Sequence, residues 1–372
     1  MIYLDYSASS PPFPEVMEEV CRVSLETFGN PGALHQAGSA ARAVLQKSRK
    51  ALARLLQVRP EEIFFTSGGT EANNWAVKLG VSRPERRRIV CSAAEHSSVL
   101  EAVKAMERAG CPVTWLKPDR QGRVSPEAAA AAMGPDTALL CVQAVNNETG
   151  VLQDVDALAD AAHRVGAAYL CDSVQSFGHV VQNLHKADFL SLSAHKLGGP
   201  RGIGCLVIRQ PHRLSPLLHG GGQEFGLRSG TENLPGIAGF ALAARLSAEA
   251  LPEEAARLEQ LTQLLRSGLR EICPGVGFAG GSAERSPGIL SCRFPGISAE
   301  EMVILLDEHG ICTSPGAACG AGSGKPSHVL LSMGYSPREA GEFLRFSPGR
   351  NTTEEEILET LRIISEIFAA RS

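Results

Sequence analysis

Ten cysteines occur in the chain, yet no two stand as a C-x-x-C pair. That absence removes the usual zinc-site and thioredoxin-like signatures. A surplus of one charge is missing as well: 36 Lys and Arg against 40 acidic residues leave −4. No basic footprint for nucleic acid follows, and no acidic tail marks a disordered segment. The opening stretch MIYLDYSASSPPFPE has no basic n-region and places Asp5 early, so it does not read as a secretory signal. No apolar run approaches the ~18 residues of a membrane span, and neither repeats nor a low-complexity linker are visible. The expectation is a cytoplasmic protein, where disulfides are not expected.

What is present is an ordinary soluble balance: 372 residues, 44% apolar and 20% charged, enough for two domains. Helical and strand patterns alternate from about residue 15 to 210. PEVMEEVCRVSLETF and SAARAVLQKSRKALARLLQV repeat apolar residues at helical spacing. EIFFTSGGTEANNWAVKLGV, RRIVCSAAEHSSVLEAVKAMERAG, ALLCVQAVNNETGVLQDVDALADAAHRVG and AAYLCDSVQSFG each read strand, turn, helix. This order predicts an α/β fold on a largely parallel sheet, with ligands beyond the carboxyl ends of the strands. A long helix from about 235, then shorter strands (GILSCRFPG) and two further helices, predict a smaller second domain. The expected division is 14–255 for the large domain, and 1–13 with 256–372 for the small α+β one. Cys91, Cys141, Cys171, Cys205 and Cys292 lie in strand-like runs and read as small buried hydrophobes. Cys312, at the end of VILLDEHGIC, is also expected to be buried.

The unusual polar clusters all fall at strand ends. In TSGGTEANN, Gly68 and Gly69 allow a turn and Thr70 opens a helix, which makes either an anion site on backbone amides or a plain capped turn. Asp172 ends the strand YLCD, where a carboxylate needs a partner; it could pair with a protonated pyridine nitrogen or cap a helix. Ser193, His195 and Lys196 close FLSLSAHK before a glycine-rich turn. A lysine there can have its pKa lowered and form a Schiff base. GSGKPS looks like a phosphate-binding loop but fails the pattern, with Cys319 where glycine is required and Pro326 after the lysine.

Taken in order, YLDYSAS, FGNPGALHQAG, TSGGTEANN, AAEHSSVL, VNNETGVLQDV, CDSVQS, SAHKLGGPRGIG, HGGGQEFGLRSGTEN, GAACGAGSGKPSHVL and LRFSPGRNTTEEEI resemble the successive signatures of the NifS/IscS-type cysteine desulfurases. These form part of the class V branch of fold-type I pyridoxal-phosphate enzymes. The resemblance implies a pyridoxal 5'-phosphate cofactor held as a Schiff base on Lys196, which would also move the proton at the substrate Cα. It implies that Asp172 pairs with the ring nitrogen and that Gln175 and Asn147 reach the phenolic oxygen. His96 would stack on the ring and act in proton transfer. Gly69, Thr70, Ser193 and His195 would hold the phosphate. Thr231 would reach the phosphate of a neighbouring subunit, which implies a homodimer. Arg345, helped by Asn147, would bind the carboxylate of L-cysteine.

On the same resemblance Cys319 is the nucleophile. It lies among small and polar residues, in no strand, and would take sulfur as a persulfide and leave alanine. The persulfide would pass to an acceptor, for iron–sulfur cluster assembly or for tRNA or cofactor thiolation. The chain departs from the family pattern at Ser9 and Ser10, where threonines are usual, and at Pro348. It also lacks the longer tail that docks an iron–sulfur scaffold in some members, which puts that partner in question. The alternatives are a selenocysteine lyase or another class V reaction, and, in a different class, a non-enzymatic sulfur carrier displaying Cys319. The carrier would leave Lys196, Asp172 and Thr70 without a purpose.

Overall fold

The computed structural model describes residues 1–82, 85–209, 215–316 and 325–371. The first half of the chain runs β1 (Ile2–Tyr3), α1 (Pro14–Glu26), α2 (Gln36–Leu56), β2 (Ile63–Thr66), α3 (Gly69–Gly80), β3 (Arg88–Ser92), α4 (Ser97–Arg108), β4 (Val113–Leu116), α5 (Pro126–Ala132), β5 (Thr137–Cys141), α6 (Val155–Arg164) and β6 (Ala168–Asp172). It continues through β7 (Phe189–Ser193), β8 (Gly204–Ile208), α7 (Leu234–Ile272), β9 (Gly277–Phe278), β10 (Leu290–Arg293), α8 (Ala299–Asp307), β11 (Ile311–Cys312), α9 (His328–Ser332), α10 (Pro337–Ala340), β12 (Phe343–Phe346) and α11 (Glu354–Ala369).

Seven strands form the main sheet in the order β2-β8-β7-β6-β5-β3-β4. Only β8 runs against its neighbours; the other pairings are parallel. Alternate residues along each strand face opposite sides of a sheet. Val90, Leu140, Tyr169, Cys171, Leu190 and Cys205 accordingly join a core with α2, α6 and α7. Their chain neighbours Ile89, Leu139, Leu170, Phe189 and Leu206 join a second core with α3 and α4. Both faces are covered, so these strands read as continuous apolar runs. No helix joins β6 to β7. The residues after Asp172 form successive turns, and AAYLCDSVQSFG therefore departs from the strand–turn–helix reading.

β12, β10 and β9 form a three-stranded antiparallel sheet. It packs with α8, α11 and the second half of α7 around Leu265, Phe294, Leu344 and Ile364. α7 serves both bodies. Leu234 to Ala244 lie in one core, and Leu258, Leu261, Leu265 and Leu269 are buried further on. Between them sits Pro252, which cannot donate an intrahelical hydrogen bond. By length and composition α7 is apolar enough to cross a membrane, unlike the expectation that no segment approaches this. Half of its most apolar window is buried inside the molecule, because the small and apolar residues feed the core beneath the sheet.

The N-terminal residues tie the two bodies together. Ile2 and Tyr3 pair with Ile311 and Cys312. Farther on, Ser10 N donates to His195 O at 3.0 Å and Phe13 N to Gly198 O at 2.9 Å. Cys312 is partly exposed rather than buried; β11 has only the two-residue β1 beside it.

Candidate active site

The strand ends converge on one cavity of about 500 Å³. β6 delivers Asp172 and β7 delivers Ser193, after which a single 3-10 turn (Ala194–Lys196) carries His195 and Lys196. Leu197 N and Gly199 N both close this turn onto Ala194 O at 2.9 Å. A Cβ on Gly199 would stand 2.8 Å from that same oxygen, so no larger residue fits. This is the local reason for glycines after the lysine. Lys196 Nζ donates to the carbonyl oxygens of Ser7 and of Ala8, the latter at 3.0 Å. The N-terminal segment thus forms one wall of the cavity.

Asp172 is 6% exposed. Its Oδ1 accepts from Val174 N at 3.0 Å and its Oδ2 from Asn73 Nδ2 at 2.7 Å. Asn73 Nδ2 also donates to Ser98 Oγ at 2.9 Å, and Ser98 Oγ lies 2.8 Å from His96 Nδ1. Ser98 N donates to the same ring nitrogen at 3.2 Å. With Nδ1 accepting, the neutral ring carries its proton on Nε2. A polar chain therefore runs from His96 through Ser98 and Asn73 to Asp172. The preceding residue, Glu95, is fully buried, and burial, with the nearby charge of Asp172, pushes its carboxyl up to about 8. Its Oε1 accepts from Gln143 N at 2.8 Å.

α3 opens at Gly69, with Gly68 as the capping residue at φ +155° and no side chain closing the first turn. Thr70 is thus inside the helix rather than its cap. Amide groups at such an end favour an anion. Ser193 and His195 stand opposite; the His195 ring meets Ser9 Oγ at 3.2 Å. Burial, assisted by the charges of Lys196 and Arg201, lowers His195 to about 4.

Across the cavity, Arg345 is 1% exposed. It donates from Nη2 to Asp5 Oδ1 and from Nη1 to Asn147 O, both at 2.7 Å. Its Nε has no partner among the described residues. Gln175 Nε2 donates to Ser7 O at 2.8 Å. Of the sequence-derived set, all but two residues line this cavity. Thr231 does not: it is exposed, between β8 and α7. Cys319 lies outside the described residues, although Lys325 to His328, just after it, line the cavity.

Sequence reasoning misses Asn73, Glu148, Ser327 and His328, which also line it. Asn73 stands three residues after Thr70, where a helix brings side chains onto one face. Glu148 and Ser327 lie inside quoted motifs but meet across 179 residues of chain.

The family model for "Aminotransferase class-V" matches residues 2–359. A cysteine desulfurase of Frankia sp. (strain EuIK1) is 40% identical over 96% of this chain and 88% of its own length. Among solved structures, a NifS-like protein superposes with a TM-score of 0.93 at 35% identity, covering 99% of each chain. SspA in complex with cysteine superposes with a TM-score of 0.82 at 33% identity, over 95% of this chain and all of that one. A match of this extent, on a sheet whose strand ends assemble Lys196, Asp172 and Thr70, places the chain in the class V aminotransferase family.

Proposed function

We propose that the chain is a pyridoxal-phosphate-dependent cysteine desulfurase, acting on L-cysteine to give L-alanine and a persulfide on Cys319. The observation that carries this reading is the meeting of Lys196, Asp172 and the first turn of α3 in one cavity that also holds Arg345. The cavity fits the coenzyme. Each oxygen of the buried Asp172 carboxylate accepts one hydrogen bond and keeps capacity for a protonated ring nitrogen. The uncapped turn at Gly69 and Thr70, with Ser193 and His195, suits a phosphate.

When bound, the coenzyme supplies an electron sink that labilises bonds at the substrate's carbon atoms. The chain's own residues do the rest. Lys196 holds the coenzyme covalently and carries a proton to and from the substrate Cα. Asp172, oriented by Asn73, keeps the ring nitrogen protonated. His96, whose Nδ1 is occupied by Ser98, offers Nε2 for proton transfer. Arg345 receives the substrate carboxylate, its guanidinium oriented by Asp5 at Nη2 and by Asn147 O at Nη1. The balance needs no outside oxidant: the substrate C–S bond breaks, an S–S bond forms on Cys319, and the carbon left behind takes a proton.

The resemblance to its relatives supports a homodimer, with exposed Thr231 reaching the phosphate of the second subunit, and a sulfur-acceptor protein as partner. The experiment adds L-cysteine to the purified protein and maps the persulfide by mass spectrometry. A mass gain of one sulfur on the Cys319 peptide is expected, absent in Cys319→Ser and in Lys196→Ala, and only the lysine variant should lose the coenzyme absorbance. Sulfide release by Cys319→Ser at the parent rate would sink the assignment of the nucleophile.

A further inference from the structure

Glu148 is 2% exposed and lines the cavity, yet none of the roles above uses it. Its loop is held firmly: Asn146 Oδ1 accepts from Glu148 N at 3.0 Å and from Thr149 N at 2.9 Å. The carboxylate faces the small domain, where its Oε2 accepts the hydroxyl of Ser327. Ser327 is the N-cap of α9 and accepts from Leu330 N at 3.2 Å. One hydroxyl therefore starts the helix and ties it to the large domain. The next residue repeats the link, His328 Nε2 donating to Glu95 O at 2.9 Å.

On the other side of Cys319, the space beside Gly316 opens onto the same carboxylate. A Cβ built on Gly316 would stand 3.2 Å from Glu148 Oε2 and 3.9 Å from its Cδ. Gly316 and Ser327 flank the stretch that holds Cys319; the Ser327 hydroxyl bonds Glu148, and Gly316 leaves room beside the same carboxylate. The same loop also supplies Asn147 O to Arg345. One loop thus sets the spacing between the proposed substrate clamp and the Ser327 end of the thiol-bearing stretch. Burial raises the Glu148 carboxyl, while the Ser327 hydroxyl and the charges of His328, Arg345 and His96 pull it the other way.

We propose that Glu148 is a positioning residue, whose acceptor oxygen ties Ser327, the residue that follows the Cys319 stretch into α9, to the cavity so that the thiol meets the substrate sulfur. The inference rests on the desulfurase reading given above. A displacement of about 1 Å at a reacting centre can cost on the order of a hundredfold in rate, so the anchor matters for sulfur capture more than for binding.

The test compares Glu148→Gln, Glu148→Ala, Ser327→Thr and Ser327→Ala in the full-length holoenzyme. Glutamine keeps an oxygen for the Ser327 hydroxyl, and threonine keeps the hydroxyl. Both should stay within about threefold of the parent in kcat for sulfide release. The two alanine variants should lose about tenfold in kcat, the upper end of what one ordinary hydrogen bond contributes. Their KM for L-cysteine and their coenzyme absorbance should not change. A second readout avoids turnover: in coenzyme-free protein the rate at which iodoacetamide alkylates Cys319 should differ from the parent in the alanine variants only. The proposal is overturned if either alanine variant keeps the parent kcat and alkylation rate. It is also overturned if Glu148→Gln falls as far as Glu148→Ala, which would make charge the operative property, or if coenzyme is lost in parallel. Should Glu148→Ala not fold, the Ser327 pair decides. If the parent itself forms no sulfide from L-cysteine, the desulfurase reading fails, while the alkylation arm still reads the anchor.

Discussion

Asn73 donates to Asp172 across 2.7 Å, and the same amide nitrogen reaches Ser98 Oγ at 2.9 Å. The asparagine therefore orients the carboxylate that would face the coenzyme ring, and links it to His96. Its Oδ1 is buried with no partner among the described residues, so the amide is committed to donating. In Asn73→Ala the carboxylate keeps only the Val174 amide. A hydrogen bond to a charged group is worth about 1.5–3 kcal/mol, so the coenzyme dissociation constant should rise about tenfold to a hundredfold. Titration of coenzyme-free protein with pyridoxal phosphate, followed by absorbance, measures this directly; an unchanged constant would remove Asn73 from the site.

Glu224 and Arg49 form an ion pair with side chains only 2% and 3% exposed. Glu224 also accepts from Phe65 N at 2.8 Å, and it adopts φ +47° before Phe225 at φ +58°. Left-handed conformations at two successive non-glycine residues are costly and persist where the surroundings demand them. The pair fixes the segment leading to Thr231 against β2 and α2. Removing one partner of such a pair leaves a buried charge and typically costs about 3–5 kcal/mol. Glu224→Ala should therefore lower the thermal midpoint by several degrees, and more than Arg22→Ala, whose pairs with Glu19 and Glu26 are solvent-exposed. Equal shifts for the two would contradict this account.

Lys196, Asp172 and Thr70 are legible in the chain because each follows an apolar run that can only be a strand, and a strand end on a parallel sheet faces a ligand. The two-faced burial of Val90 and Cys91, or of Leu190 and Phe189, is legible for the same reason. Other features have no local signature. The Glu148–Ser327 contact depends on how two bodies meet, and the left-handed pair at Glu224 and Phe225 gives no glycine to announce it. α7 reads as one long helix in the sequence, across Pro252, but its passage through both cores depends on tertiary packing that no local pattern announces. The sequence leaves open whether Thr70 caps a plain turn or opens an anion site; Gly68 takes the capping position and leaves the amides to the cavity.

A substitution at Gly204 probes the packing beneath the phosphate turn. A Cβ there would meet Leu192 O at 2.4 Å and Gly68 Cα at 2.8 Å, both backbone atoms. Neither can swing aside as a side-chain tip could, so β8 would have to separate from β7 or push the Gly68 turn. Overpacking of this kind costs about 1–3 kcal/mol. Gly204→Ala should lower both the thermal midpoint and coenzyme affinity. Gly275→Ala is the control, since only Pro295 Cγ at 3.7 Å lies near its Cβ position. A Gly204→Ala protein as stable as the control would show that the turn has slack.

Glu95 and His195 should act on stability in opposite directions as pH changes. In the folded protein Glu95 keeps its proton up to about 8, whereas the unfolded chain gives it up above 4.5. Between those values the folded state binds more protons, so stability falls as pH rises. His195 is shifted down from 6.5 to about 4. There the unfolded chain binds more protons, and stability falls as pH drops from 6.5 toward 4. The two effects oppose one another between 4.5 and 6.5, and above 6.5 only Glu95 acts. Glu95→Gln, which keeps an oxygen for Gln143 N, should therefore flatten the loss of stability from pH 6.5 to 8 and gain most at pH 8. Urea unfolding midpoints of coenzyme-free parent and variant across this range measure the effect; curves that stay parallel from pH 5 to 8 would mean that Glu95 ionises in the folded protein as it does in the unfolded chain.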